Sequence, residues 1–156
     1  MGNISVWERS TKSHTGAYDP DNNFAKIVRG ELPCARVYED DDTLAFMDVF
    51  PQGPGHTLVI HKRAPARNLL DADLADVAPV MATVQRVGRA IVAALKPDGL
   101  AVMQFNGAAS GQTIYHLHFH LIPRWEGTPL GGHARGASDA RELAELAAKI
   151  AAKIEG

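Results

Sequence analysis

The sequence predicts an α+β fold: a five-stranded antiparallel sheet with one main helix, a short N-terminal helix and a C-terminal helix. Three observations carry this. Short apolar runs bounded by turn residues come first, one long stretch of helical periodicity follows, and two more strand-like runs come after it. A last segment then repeats Leu143, Leu146, Ile150 and Ile154 along one helical face.

Residues 1–21 are polar and read as a flexible N-terminal tail, leaving 22–156 as a single domain. Asn22 or Asp21 caps a helix over 23–29, which Gly30 closes, with Pro33 soon after. Strands follow at 35–39 and 44–48, joined by the acidic turn 39–42. The loop 50–55, rich in Pro and Gly, leads into a third strand at 56–61. Leu70, Leu74, Val77, Met81, Val84, Gly88, Ile91 and Leu95 recur at steps of three and four, the stripe of the main helix. Pro79 within it requires a kink or a late start. Lys96-Pro97-Asp98-Gly99 ends that helix, and strands at 100–105 and 115–122 complete the sheet. Ser138 or Asp139 caps the final helix. A sheet covered by one helix leaves edges and an apolar face for a second copy of the chain.

Composition narrows the function. Hydrophobic residues make up 46% of the 156, enough for a real core. A formal charge of −2 gives no argument for nucleic acid or an anionic membrane as partner, and neither is expected. The single cysteine, Cys34, excludes an internal disulfide and suits a reducing compartment. The first 21 residues lack the apolar core of a secretory signal, and no apolar run is long enough to span a bilayer. The expected location is the cytoplasm.

The chemistry concentrates in His116-Leu117-His118-Phe119-His120. Alternate side chains of a strand share a face, so Leu117, Phe119 and Leu121 enter a core while the three imidazoles line up about 7 Å apart on the other side. Each buried ring needs partners for two nitrogens, which a merely structural strand seldom supplies three times over. Two chemistries use such a row. A catalytic metal wants three converging ligands, and alternate positions on one strand rarely converge. In the other, one neutral imidazole attacks phosphorus while its neighbours stabilise the charged oxygens. The middle ring, His118, is then the nucleophile, with His116 and His120 as supports. His14, His61 and His133 carry no such argument and read as solvated surface.

These residues resemble the histidine-triad (HIT) family, whose signature is His-φ-His-φ-His-φ-φ with φ apolar; residues 116–122 match it in full. The stretches 24–33, 44–48 and 51–60, together with Asn106 and Gly111-Gln112-Thr113, match further landmarks in order, and the Hint-like branch is most similar. The resemblance implies a hydrolase of purine nucleoside phosphoramidates or related nucleotides that acts through a nucleotidyl-histidine intermediate. It implies His118 as nucleophile, His120 and His56 on the α-phosphate, and His116 behind the nucleophile. Thr113 falls near the leaving group, with Asn106 and Gln112 in the adjoining polar loop. Asp48 receives the ribose hydroxyls, and Phe24, Ile27, Leu32 and Phe46 form the slot for the base. A homodimer with joined sheets is also implied, and no cofactor. Many bacterial relatives carry a Cys-x-x-Cys pair of a structural zinc site before the first helix. Asn22 and Ala25 stand there in this chain, so no metal is expected. Other readings are a dinucleoside polyphosphate hydrolase, a nucleotide-binding interaction protein with incidental hydrolysis, and a nucleotidyl transferase.

Overall fold

A computed structural model describes residues 13–132 and 136–155 of the chain. Helix α1 is Asn23–Val28, and the extended Asn22 caps it by accepting the Ala25 N–H at 2.9 Å. Strands β1 (Arg36–Glu39), β2 (Thr43–Met47) and β3 (Thr57–His61) follow as a meander. Next come helix α2 (Leu74–Leu95), strand β4 (Gly99–Met103) and a 3-10 turn at Ala108–Ser110. Strand β5 (His118–Arg124) and helix α3 (Ala140–Ala151) complete the order. The sheet runs β1-β2-β3-β5-β4, with every neighbouring pair antiparallel. The five-stranded antiparallel α+β expectation is met.

Both faces of the central strands are buried, for different purposes. Ala45, Met47, Val59, Phe119 and Leu121 face one way and pack with Val80, Val87 and Ile91 of α2 and with Leu143 and Ile150 of α3. Leu44, Phe46, Leu58 and Ile60 face the other way and gather against Phe24 of α1. Register places Leu58 opposite His120 and Ile60 opposite His118, so the histidines share the α1 side of the sheet. Burying one such aliphatic side chain contributes about 1.5–3 kcal/mol.

Boundaries move where side chains capture backbone groups. Helix α2 starts at Leu74, and Leu70 and Leu74 are 66% and 81% exposed rather than part of the stripe. The Asp71 carboxylate accepts the Arg67 and Asn68 amides, and Asn68 Oδ1 accepts that of Leu70. Those amides are thereby committed to a turn. Pro79 nevertheless lies inside α2, since the helix begins at Leu74 and not at the proline. Strand β5 begins at His118 instead of residue 115, because the Leu117 amide bonds the Ala66 carbonyl and not the β3 ladder. Strand β4 stops at Met103 as Gln104 and Asn106 exchange side-chain hydrogen bonds.

Two further findings position the site. Gly55 has φ +82°, and a Cβ there would lie 2.5 Å from Leu95 Cδ1 and 2.9 Å from Pro123 Cγ, so only glycine delivers the chain tightly into His56. Residues 13–18, expected as tail, are hydrogen-bonded to the domain: Arg67 donates to the Ser13 and Ala17 carbonyls, and Asn68 to that of His14. Residues 1–12 of the expected tail lie outside the described residues. No helix among the described residues is long and apolar enough to cross a membrane.

Candidate active site

A cavity of about 510 Å³ opens on the α1 side of the sheet. Phe24, Ile27, Leu32 and Phe46 line its apolar end, while Asp48, Thr113, His118 and His120 line its polar end. Phe24 organises the wall, meeting Phe46 edge-on at 5.4 Å and the His118 ring at 4.9 Å. The structure thus brings together eight of the residues expected from sequence.

The backbone dictates which nitrogen of each imidazole carries the proton. His118 Nδ1 lies 2.6 Å from the His116 carbonyl, which can only accept, so Nδ1 donates and neutral His118 holds its lone pair on Nε2. His116 Nε2 likewise donates to the His61 carbonyl at 2.8 Å, leaving its Nδ1 to accept the Tyr18 hydroxyl, also at 2.8 Å. His56 Nδ1 accepts the Gln52 amide at 3.0 Å, so its Nε2–H points at His120 Nδ1, 2.9 Å away. Neutral His120 therefore carries its proton on Nε2. The two rings that line the cavity end up complementary: a lone pair on His118 and a donor on His120, with ring centroids 4.9 Å apart. That is closer than the 7 Å backbone repeat, because the side chains lean along the strand.

Burial pushes the His118 pKa down to about 3, with the neighbouring His120 adding to the effect, and burial also lowers that of His116. Both rings fold in the neutral form. In an unfolded chain they titrate near pH 6.5, so at lower pH that chain takes up protons the native one refuses. Stability is expected to fall as pH drops below about 6.5, and His118 continues to contribute to the loss until about pH 3. Urea midpoints at pH 7, 5.5 and 4.5 test this; a flat profile would contradict the neutral, buried rings.

Other expected residues serve the site from behind. His56 is buried and touches His120, with Asp48 Oδ2 3.4 Å from its Nε2. Asp48 also accepts the Phe50 amide at 2.8 Å, which folds the exposed Val49-Phe50 pair over the cavity rim. Gln112 is not at the cavity. Its carboxamide is taken by the Arg67 and Ile114 carbonyls and the Gly107 amide. Asn106 bonds Gln104 and the Leu69 amide, outside the cavity wall. His61, read as solvated, is buried: its Nδ1 accepts the Arg63 and Ala64 amides and its carbonyl holds His116. His14 is exposed as expected, and His133 lies outside the described residues. Tyr18, Arg67 and Asn68 were not anticipated, because their partners are backbone carbonyls or a ring distant in sequence.

Asp48, His56 and His120 each place one ligand atom within 4.8 Å of the others, a set that suits a divalent cation such as zinc. The cysteine-based zinc site of many relatives does not fit this chain. Asn22 spends its side chain on the α1 cap, Ala25 has no donor, and Cys34 stands apart on the cavity wall.

This fold and this row of histidines define a class. The HIT domain model matches residues 29–127, and the chain belongs to the HIT family. A Hit-like protein involved in cell-cycle regulation from Bartonella henselae is 54% identical with a TM-score of 0.82, covering 88% of this chain and 100% of that one. A zinc-bound histidine triad protein from Mycobacterium smegmatis is 34% identical with a TM-score of 0.73, covering 83% and 90%. Among curated relatives, the adenosine 5′-monophosphoramidase of Schizosaccharomyces pombe is 38% identical over 65% of this chain and 72% of its own length. The adenylylsulfatase HINT3 of Arabidopsis thaliana is 39% identical over 74% of this chain and 58% of its own length. Hydrolase activity is thus the activity named among these relatives.

Proposed function

We propose that this protein hydrolyses the α-phosphorus bond of purine nucleotides, nucleoside phosphoramidates foremost, through a nucleotidyl-histidine intermediate. The observation that carries the reading is the His118 tautomer. Its Nδ1–H is held by the His116 carbonyl, so the Nε2 lone pair is the nucleophilic end of a ring on the cavity. Nε2 forms a new bond to phosphorus as the substrate's own P–N bond breaks; the leaving amine departs with that bond's electron pair and takes a proton from solvent, on the side where Thr113 offers a hydroxyl. Water then attacks phosphorus and gives up a proton to solvent, the Nε2–P bond breaks, and its electron pair returns to Nε2 as the nucleoside monophosphate leaves.

The remaining residues follow from their chemistry. His120 donates from Nε2 to a non-bridging oxygen, where negative charge builds in the transition state. His56 holds His120 in the donating tautomer. Phe24, Ile27, Leu32 and Phe46 sandwich the base, and Asp48 accepts from the ribose hydroxyls. The Schizosaccharomyces pombe relative supports adenosine as the nucleoside and an amine as the leaving group. Gln112 and Asn106 shape the loop that carries Thr113 and make no contact with substrate.

Incubation with adenosine 5′-phosphoramidate should release AMP, and rapid quenching should trap one adenylyl group on the peptide containing His118. Tight AMP binding without release, from this substrate or from a dinucleoside polyphosphate, would instead make the protein a nucleotide-binding module.

Two copies are proposed to join through β4. That strand ends the sheet, and Val102 and Val92 beside it are about half exposed. The α2 stripe packs on the protein's own sheet. Light scattering should give a dimer; a monomer at micromolar concentration would overturn the arrangement.

A further inference from the structure

The N-terminal segment 13–18 is part of the catalytic machinery's frame. Arg67 and Asn68 are 4% and 0% exposed, and both spend side-chain donors on backbone carbonyls of this segment. Buried polar donors are costly to leave without acceptors, so the segment belongs to the folded domain. It also passes directly over Gly107, where a Cβ would lie 2.9 Å from the His14 backbone nitrogen. Arg67 stacks on the Tyr115 ring at 4.5 Å, next to the first histidine of the triad. The segment is therefore clamped between the 63–69 loop and the triad strand.

Its last residue reaches the triad itself. The Tyr18 hydroxyl lies 2.8 Å from His116 Nδ1, and the two rings sit 5.7 Å apart. Because His116 Nε2 donates to the His61 carbonyl, Nδ1 has a lone pair and Tyr18 is the donor. Burial raises the Tyr18 pKa, which keeps that donor proton in place at neutral pH. The same His116 residue presents, through its backbone carbonyl, the acceptor that holds His118 Nδ1–H.

We infer that Tyr18 is a positioning residue for the nucleophile: it locks the His116 ring between its own hydroxyl and the His61 carbonyl, and the fixed His116 backbone then holds His118 with Nε2 toward the cavity. Tyr18 touches no reacting atom. Its contribution is to hold one tautomer and one orientation, which matters most when His118 becomes positively charged on nucleotidylation and pulls hardest on the His116 carbonyl. The inference rests on the proposed hydrolysis for its catalytic consequence, although not for its structural half.

The test compares wild type with Tyr18→Phe, which keeps the ring and removes the hydroxyl. Long-range 1H–15N spectra of the imidazoles read the tautomers without any substrate. In wild type, His116 should be a pure Nε2–H tautomer and His118 a pure Nδ1–H tautomer. In Tyr18→Phe, the His116 Nδ1 resonance should move as its donor is lost, and the His118 signals should shift or broaden. On adenosine 5′-phosphoramidate, kcat should fall about tenfold with KM nearly unchanged and the melting temperature little altered. Imidazole spectra identical in the two proteins, or an unchanged kcat in an active enzyme, would overturn the positioning role. An inactive wild type would sink the proposed hydrolysis, and the spectra alone would then decide whether Tyr18 orders the triad.

Discussion

Replacing His118 with alanine is expected to lower turnover of adenosine 5′-phosphoramidate by about 10⁴-fold or more, while AMP still binds within a few-fold of wild type. The asymmetry comes from where the ring stands. His118 presents one nitrogen to the cavity and spends the other on a backbone carbonyl, so its deletion removes the atom proposed to attack. The proposed base and ribose contacts come from other elements that line the cavity: Phe24 and Ile27 on α1, Phe46 on β2, and Asp48 just beyond it. Phe24 loses one of its edge-on partners, but it keeps the other, Phe46. Single-turnover kinetics with equilibrium dialysis of AMP separate the two quantities. Wild-type turnover in the variant would remove His118 from the role of nucleophile.

His120→Ala is expected to cost about 10²–10³ in kcat, the size typical of losing one preorganised donor to a developing oxyanion. The variant keeps His118, the proposed nucleophile, and its tautomer, because the His118 Nδ1–H bond goes to a backbone carbonyl. It removes the Nε2–H that lines the cavity and leaves His56 Nε2–H to the carboxylate of Asp48, 3.4 Å away. KM should change little if the donor acts mainly in the transition state. A rise in KM alone, with kcat intact, would mean that His120 binds the ground state and does not assist the chemistry.

These residues also mark what sequence reading reaches. The triad, the apolar set at 24, 27, 32 and 46, and Asp48 were legible because strand alternation and a specific motif place them without reference to anything distant. Gln112 and Asn106 belong to the same motif, yet their carboxamides point to backbone groups of the 67–69 and 107–114 loops. No local pattern distinguishes a carboxamide aimed at a ligand from one closing a turn. His61 was misread for a related reason: its burial is set by the turn that follows β3 and by the neighbouring His116. Leu70 fits the helical period but lies in a turn enforced by Asp71 and Asn68, side chains whose capture of amides periodicity does not register, and Leu74, at the first position of α2, stays exposed.

The amino-acid sequence by itself determined the α+β class, the antiparallel strands and the family, since each follows from periodicity or from a short motif, and it supplied the proposal that His118 is the nucleophile. Only the tertiary structure decided the protonation pattern of the four site histidines, the burial of His61, and the docking of residues 13–18 onto the triad. Each of those is a hydrogen bond between groups far apart in the chain: 98 residues separate Tyr18 from His116, and 64 separate His56 from His120. A lone pair is directed by whichever acceptor or donor folding brings to the opposite side of the ring, and that partner exists only once the chain has closed around it.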